Sequence, residues 1–134
     1  MLPALLRKFH DAVRTGAASV TIWGSGTPLR EFLHADDLAS AALFLMLNYS
    51  SGEIVSVGSG EEISIGELAR VIADVTGFRG DILHDRTKPD GTLRKLMDST
   101  RMRRLGWTPG IGLQEGIAQT YAWFCEREKV ATVR

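Results

Sequence analysis

The sequence predicts an α/β fold in which short strands alternate with amphipathic helices. Apolar residues recur at helical spacing in several segments, and short β-branched or apolar runs lie between them. Glycines and capping residues mark the boundaries of these segments. The strands are few and short for a complete doubly wound sheet. We therefore expect part of a larger architecture.

Composition limits the class of protein. A chain of 134 residues with 44% hydrophobic residues can bury one core, which predicts one domain. Sixteen basic and sixteen acidic residues give no positive excess for nucleic acid or an anionic membrane. One cysteine excludes an internal disulfide, and we expect a cytoplasmic protein. No apolar run approaches the ~20 residues of a membrane span, and charged residues interrupt any amino-terminal leader.

The first predicted elements surround a glycine-rich loop. Residues 3–13 are predicted to be a helix that ends toward Thr15 and Gly16, because a proline lies in its first turn and apolar residues share one face. Residues 20–23 form a predicted strand, and residues 24–28 a loop. The inward residues of the helix are predicted to be Leu5, Leu6, Phe9 and Val13.

The next helix and strand are predicted from a cap and an apolar run. Asp36 or Asp37 is expected to cap a helix that ends at about Asn48. Residues 54–57 have the composition of a buried strand. The inward residues of this helix are predicted to be Leu38, Ala42, Leu45 and Met46.

Capping signals also define the second half of the chain. Ser64 and Glu67 form a capping-box pattern that opens a helix ending at Gly77. Residues 81–84 are a predicted strand, and residues 86–95 a polar loop. Helices are predicted at residues 100–105 and 113–127, the second burying Ile117, Tyr121 and Phe124. Residues 129–134 are expected to be a frayed tail.

A tryptophan and an arginine on either side of the first loop form the candidate binding site. Trp23 precedes Gly24 and Gly26, and Arg30 follows seven residues after Trp23. A flat aromatic face and a guanidinium suit a ligand that carries a planar base and phosphate. The alternatives are a core tryptophan, and a surface ion pair of Arg30 with Glu31 or Asp37.

Two further loops contain residues that could bind a ligand. Asp90 could accept hydrogen bonds from sugar hydroxyls, with the positive charges of Lys88, Arg94 and Lys95 beside it; the alternative is a solvated charged loop. Residues 58–60 read Gly-Ser-Gly after an apolar run, which suggests dinucleotide binding. The third glycine of that motif is replaced by Ile63, so the motif is rejected.

No catalytic or metal-binding constellation is predicted. The three histidines are scattered and have no cysteine or carboxylate at metal-ligand spacing. Cys125 has the position of a small core residue. No nucleophile–base arrangement can be assigned. We therefore name no catalytic, cofactor-binding or metal-ligating residue.

Three sequence blocks in order resemble the GDP-L-fucose synthase family of extended short-chain dehydrogenases/reductases. Further likeness lies at residues 105–107 and 116–123, so the resemblance covers nearly the whole chain. The blocks are PALLRKFH at residues 3–10, WGSGTPLREFLHADDL at 23–38, and KPDGTLRKLMD at 88–98.

This resemblance implies a two-step activity on a GDP-sugar. A 4-keto-6-deoxy-mannose unit is epimerised at C3 and C5 and then reduced at C4 with NADPH. By the likeness, residues 1–128 form the carboxy-terminal nucleotide-sugar-binding domain. Lys8 stands where the family usually has arginine, so it offers a point charge rather than a bidentate grip. The substrate-binding positions implied are Lys8, Trp23, Arg30, Asp90 and Lys95.

The resemblance also implies which parts lie elsewhere. Met1 aligns more than halfway along the family's sequence, so the glycine-rich cofactor turn and the catalytic Ser, Tyr, Lys, Cys and His belong to the preceding part. We expect this chain alone to be inactive and not to bind NADPH. The expected partners are a GDP-sugar, an amino-terminal Rossmann domain and, as one possibility, a second copy of the chain. The alternatives are a domain for another nucleotide sugar and a non-catalytic assembly partner of a Rossmann-fold chain.

Overall fold

The computed structural model describes residues 1–132, and side chains through residue 128. It confirms the predicted mixture of helices and short strands. The elements are α1 (Leu2–Thr15), β1 (Ser19–Trp23), β2 (Leu29–Glu31), α2 (Ala35–Asn48), β3 (Glu62–Ser64), α3 (Ile65–Thr76), β4 (Asp81–Asp85), β5 (Arg94–Lys95), α4 (Thr100–Leu105) and α5 (Leu113–Thr132).

The strands form two small sheets. Strand β1 pairs in parallel with β4, from Ser19 opposite Asp81 to Trp23 opposite Asp85. Strand β2 is the centre of the second sheet, antiparallel to β3 and parallel to β5. Strands β2, β3 and β5 were not predicted, because each has only two or three residues, and β3 and β5 lie in polar sequence. Pairing with β2, a long-range contact, creates both of them.

The main core lies between α1, β1, α3 and α5. Phe9, Leu68 and Ile72 are fully buried, and the ring of Phe9 packs edge-on against Phe78 with centroids 5.4 Å apart. The predicted inward face of α1 is confirmed at Leu6 and Phe9, but Val13 is exposed. A second cluster of buried residues consists of Ala41, Met102 and Trp107.

The carboxy-terminal end of α1 and both caps of α3 are as predicted. Ser64 and Glu67 form both hydrogen bonds of the capping box, and α3 ends at Gly77 with φ of 77°. Helix α1 ends at Gly16, also in the left-handed conformation. These ends were predictable because the signals are local in sequence.

The predicted cap of α2 was wrong. His34 is the N-cap, and its Nδ1 accepts a hydrogen bond from the backbone N–H of Asp36 at 3.3 Å. Asp37 is buried, and its carboxylate accepts the backbone N–H groups of Gly110 and Ile111 at 2.9 and 3.0 Å. This carboxylate therefore anchors the segment that leads into α5.

The predicted inward face of α2 was also largely wrong. Leu38 and Met46 are 53% and 80% exposed and Ala42 is exposed, whereas Ala41 is buried and Leu45 is half-buried. Apolar residues surround most of this helix, so periodicity does not select one face. The buried carboxylate of Asp37 lies on the inward side and determines its rotation.

Residues 54–57 do not form the predicted buried strand. They have no strand partner among residues 1–132, and Ile54 is 92% exposed. The opposite side of the segment, at Val55 and Val57, packs on the second cluster. The composition of this segment is typical of a strand, but residues 1–132 contain no neighbouring strand to pair with it.

The last helix is longer than predicted. Helix α5 continues past residue 127 and is helical to Thr132, so residues 129–132 of the predicted frayed tail are helix. Residues 133 and 134 lie outside the described residues. Ile117 is buried, while Tyr121 and Phe124 are half-buried. Backbone hydrogen bonding extends a helix without an apolar face, which explains the difference.

We predict that Phe9→Ala lowers the free energy of unfolding by about 3–5 kcal/mol, because it leaves a cavity among fully buried side chains. Urea denaturation followed by circular dichroism measures this change. Met46→Ala, at an exposed position, should change it by no more than about 0.5 kcal/mol. Equal losses in the two variants would contradict the assigned core.

Candidate functional site

A cleft of about 730 Å³ lies between α1 and the loops that follow β1 and β4. Leu5 and Ile22 contribute apolar wall on the two sides. Lys8, Trp23 and Arg30 add an aromatic ring and two cationic side chains. The cleft therefore combines an apolar wall with positive charge, a combination that suits an anionic ligand with a planar group.

Trp23 is exposed and does not belong to the core. It is the last residue of β1, where the strand's alternation buries Val20 and Ile22 and leaves Trp23 71% exposed. Its ring lies beneath Lys88, whose Nζ is 5.8 Å from the ring centroid. The structure thus decides against the core alternative, since a large aromatic face is presented to the cleft.

Arg30 lies on the central strand of the second sheet. Its Nη1 donates to the carbonyl of Leu29 at 2.6 Å, and its Nη2 lies near Gly91 of the facing loop. Among the side chains described, which end at residue 128, Arg30 forms no ion pair with Glu31 or Asp37. The surface-ion-pair alternative is therefore wrong, and the half-buried guanidinium retains N–H groups for a ligand.

Lys8 reaches across the cleft from α1. Its Nζ donates to the carbonyl of Thr21 on β1, and its side chain is exposed. An ammonium has three donors, so two remain after this contact. One helical turn further, the carboxylate of Asp11 also lines the cleft and pairs with Arg7 and Arg14 at 3.8 and 3.7 Å.

Asp90 binds the loop opposite it. Its Oδ1 accepts the backbone N–H of Ser25 at 2.8 Å, and its Oδ2 accepts the Ser25 hydroxyl at 2.7 Å. These bonds hold the pKa of the Asp90 carboxyl below its ordinary value, since they stabilise its charged form. Sequence reasoning missed Ser25, because nothing local links it to a residue 65 positions away.

The cationic side chains predicted beside Asp90 make different contacts. Arg94 pairs with Glu62 instead, with its Nε 2.8 Å from Oε1 and its Nη2 2.7 Å from Oε2. Lys95 is exposed on β5 and stands directly opposite Arg30 in the parallel pairing of β2 with β5. Directly paired positions present their side chains on the same face of a sheet. The structure therefore brings Lys8, Trp23, Arg30 and Asp90 to the cleft and Lys95 beside Arg30.

The Gly-Ser-Gly segment does not fit a dinucleotide. The backbone N–H of Gly60 donates to the Glu31 carboxylate at 2.6 Å, and the Ser59 hydroxyl lies 3.4 Å from the same oxygen. A carboxylate thus occupies the donors that a pyrophosphate would require, and its charge would repel one. Through residue 132, no group of three potential metal ligands is found, and no helix is long and apolar enough to cross a membrane.

Comparison with known proteins identifies similar chains. The profile of the NAD dependent epimerase/dehydratase family matches residues 1–65. A putative GDP-L-fucose synthase 2 from Arabidopsis thaliana is 57% identical over 126 residues, which cover 94% of this chain and 38% of the relative. The GDP-L-fucose synthase of Escherichia coli K12 is 46% identical over 137 residues, covering 96% and 43%.

The fold is similar to that of a solved structure as well. A GDP-L-fucose synthetase from Naegleria fowleri, crystallised with NADP, matches with a TM-score of 0.89 and 34% identity, covering 96% of this chain and 40% of that one. The chain therefore spans about two fifths of the length of the proteins it resembles.

We predict that Asp90 titrates below its ordinary pKa and that Ser25→Ala raises this pKa, because the variant removes one of the two donors. A carboxyl whose pKa is lowered in the folded state stabilises the fold above its unfolded pKa of about 3.9. This contribution is lost as the pH falls through the folded-state pKa. Carbon NMR titration of the Asp90 carboxyl measures the shift. Ser51→Ala should leave it unchanged; an unaltered pKa in Ser25→Ala would show that the contact is absent in solution.

Proposed function

We propose that this chain is the carboxy-terminal, GDP-sugar-binding part of an enzyme of the NAD dependent epimerase/dehydratase family, because residues 1–65 match that family's profile and the chain matches GDP-L-fucose synthases over about two fifths of their length. The complete enzyme would epimerise GDP-4-keto-6-deoxy-D-mannose at C3 and C5 and reduce it with NADPH to GDP-L-fucose. The observation that carries the proposal is the cleft in which an exposed tryptophan and two unpaired cations face a common space.

In this proposal the guanine base stacks on the ring of Trp23. Base–aromatic stacking contributes about 1–3 kcal/mol and needs an accessible face, which 71% exposure supplies. Lys88 lies over the same ring at 5.8 Å, so it moves aside or flanks the bound base. Stacking alone tolerates every base, and it therefore orients the nucleotide without selecting guanine.

The diphosphate would be held by three cations. Arg30 offers a planar fork for phosphate oxygens, and Lys95 adds a point charge from the neighbouring strand. Lys8 approaches from the opposite wall, on α1. A charge-assisted hydrogen bond of this kind contributes about 1.5–3 kcal/mol. Affinity for the nucleotide then comes from both sides of the cleft.

Hydride and proton transfer would depend on the part of the enzyme outside this chain. The described residues supply binding energy at the nucleotide, remote from the carbons that react. Such energy positions the keto sugar against groups supplied by the dinucleotide-binding part. We further propose a cytoplasmic location, which the one free, half-buried cysteine supports.

The surface that would meet the remainder of the enzyme is the outer side of α2. Leu43, Met46 and Leu47 are 56%, 80% and 75% exposed, and Ile54 is 92% exposed in the segment that follows. Exposed apolar residues in such numbers on one helix mark a surface that is covered in the functional protein.

The occupant that fits this surface best is a parallel β-sheet. Residues 54–57 are β-type sequence that lies outside every helix and strand, and their backbone has no strand partner among residues 1–132. In α/β proteins, helices cover the faces of parallel sheets and strands rarely stand alone. The relatives contain about three fifths of their length beyond the matched region, enough for such a sheet.

We predict that the chain binds GDP and GDP-L-fucose, and that Trp23→Ala and Arg30→Ala each weaken binding by roughly 5- to 150-fold, which corresponds to the energies of about 1–3 kcal/mol above. Isothermal titration calorimetry measures these affinities. Trp123→Ala and Arg79→Ala remove an exposed tryptophan and an exposed arginine outside the cleft and should leave them unchanged.

Titration with other nucleotide sugars distinguishes the possible outcomes of this experiment. Preference for UDP- or dTDP-sugars over GDP-sugars would replace the proposed substrate by another nucleotide sugar. Absence of binding to any nucleotide sugar by the folded chain would overturn the proposal that the cleft of this chain binds a nucleotide by itself.

We predict that the chain co-purifies with the unmatched part of the Arabidopsis relative when the two are co-expressed, and that Leu47→Lys prevents this. Because this position is 75% exposed, a charged side chain there changes the stability of the isolated chain little. Burying the same charge beneath a sheet carries a large free-energy penalty. Trp123→Lys, at an exposed site on α5, is the matched control. Self-association that Leu47→Lys abolishes, without co-purification, would identify a second copy as the occupant and contradict the sheet.

A further inference from the structure

We propose that Arg101 is a positioning residue that holds residues 53–57 ready to join a sheet supplied by the rest of the enzyme. Its contacts with Tyr49, Glu53 and the Ile54 carbonyl are called the latch. This role rests on the proposed function, because that function includes a sheet over α2 and residues 54–57. It goes further by identifying the side chain that fixes where the segment lies.

The guanidinium of Arg101 contacts three oxygens of one short connection. Its Nη1 lies 2.9 Å from Glu53 Oε2, 3.1 Å from the Tyr49 hydroxyl and 3.3 Å from the Ile54 carbonyl. The Tyr49 hydroxyl donates its proton to the Glu53 carbonyl at 3.2 Å, so it accepts from Arg101. The two protons of Nη1 are shared among acceptors that include a charged carboxylate. The latch therefore joins both ends of residues 49–54 to α4.

Helix α4 gives the latch a fixed base. Met102, the neighbour of Arg101, is fully buried and lies with Ala41 and Trp107 in the second cluster. The indole Nε1 of Trp107 donates to the Ser40 hydroxyl at 3.2 Å, which ties the residue after α4 to α2. An exposed ion pair alone contributes little. Here, however, the backbone that carries the arginine is anchored, and one of its acceptors is a backbone carbonyl.

Glu31 holds the opposite end of the segment. Its Oε1 accepts the backbone N–H of Gly60 at 2.6 Å, and a Cβ at Gly58 would lie 2.4 Å from the same oxygen. Between this contact and the latch, residues 55–57 form no backbone hydrogen bond with any residue from 1 to 132. A segment that is fixed at both ends and keeps free N–H and C=O groups between them is prepared to pair with a strand.

The side chains of the segment show what the latch must fix. Val55 and Val57 pack on the second cluster, while Ile54 is 92% exposed. Because successive side chains of a strand face opposite sides, a shift of one residue would turn the two valines outward. The contact of Arg101 with the Ile54 carbonyl opposes such a shift, since it binds the backbone directly before Val55. The latch thus sets the register in which the segment meets the sheet.

NMR relaxation of the isolated chain tests the latch. Backbone order parameters of residues 53–57 should be about 0.85 in wild type and fall toward about 0.6 in Arg101→Met, because the segment loses its tie to α4. Tyr49→Phe removes one oxygen of the latch and should lower them in the same direction. Arg104→Met, exposed on the same helix and outside the latch, should leave them unchanged. The order parameters of α3 should not change in any variant, which separates a local effect from a general loss of structure.

Co-expression with the unmatched part of the Arabidopsis relative tests the role in assembly. Arg101→Met should reduce the amount that co-purifies by roughly tenfold, because a mobile segment must be ordered before it pairs. Arg101→Lys, which keeps a cationic donor, should retain more of the complex than Arg101→Met.

Unchanged order parameters at residues 53–57 in Arg101→Met would overturn the inference. Unchanged co-purification of a variant whose segment has become mobile would overturn it as well. Wild-type chain that fails to co-purify would instead defeat the sheet contact of the proposed function, and the order parameters would still decide whether Arg101 holds the segment.

Discussion

Three polar groups from distant segments converge on the carboxylate of Glu31, and the second sheet depends on this convergence. Its Oε1 accepts the backbone N–H of Gly60 at 2.6 Å and lies 3.4 Å from the Ser59 hydroxyl, while its Oε2 accepts the N–H of Met97 at 2.9 Å. Strand β2 has only three residues, and β5 has two, too few for backbone pairing alone to define their positions. The carboxylate places both flanking segments beside Arg30.

Two further carboxylates act in the same way elsewhere in the chain. Asp37 accepts the N–H groups of Gly110 and Ile111 and so connects α2 to the start of α5. Asp90 connects the loops on either side of the cleft through Ser25. Hydrogen bonds to ionised acceptors are about twice as strong as neutral ones, so a few of them can organise loops that bury little apolar surface. Polar contacts thus determine the shape of the cleft, which lies beside the apolar core.

The parts of this structure that sequence predicts are those with local signals. The ends of α1 and α3, the strand before Trp23 and the loop after it follow from caps, glycines and periodicity within one segment. The face of α2 and the conformation of residues 54–57 do not, because the first depends on contacts of Asp37 with residues remote in sequence and the second on pairing that no strand among residues 1–132 supplies. In the site, Trp23 and Arg30 were found from spacing, whereas the partners of Asp90 and Arg94 are long-range and were not.

The cleft and the exposed side of α2 have no residue in common. The cleft wall is formed by α1, β1, β2, the start of α3 and residues 89–91, and α2 contributes nothing to it. A sheet could therefore cover α2 and residues 54–57 without displacing Trp23 or Lys8. Because the proposed nucleotide site and the proposed contact with the rest of the enzyme use different surfaces, each can be altered while the other is retained. An enzyme organised in this way can hold the nucleotide on one part and bring its sugar to reactive groups on another, since the flexible sugar–diphosphate linkage spans the two.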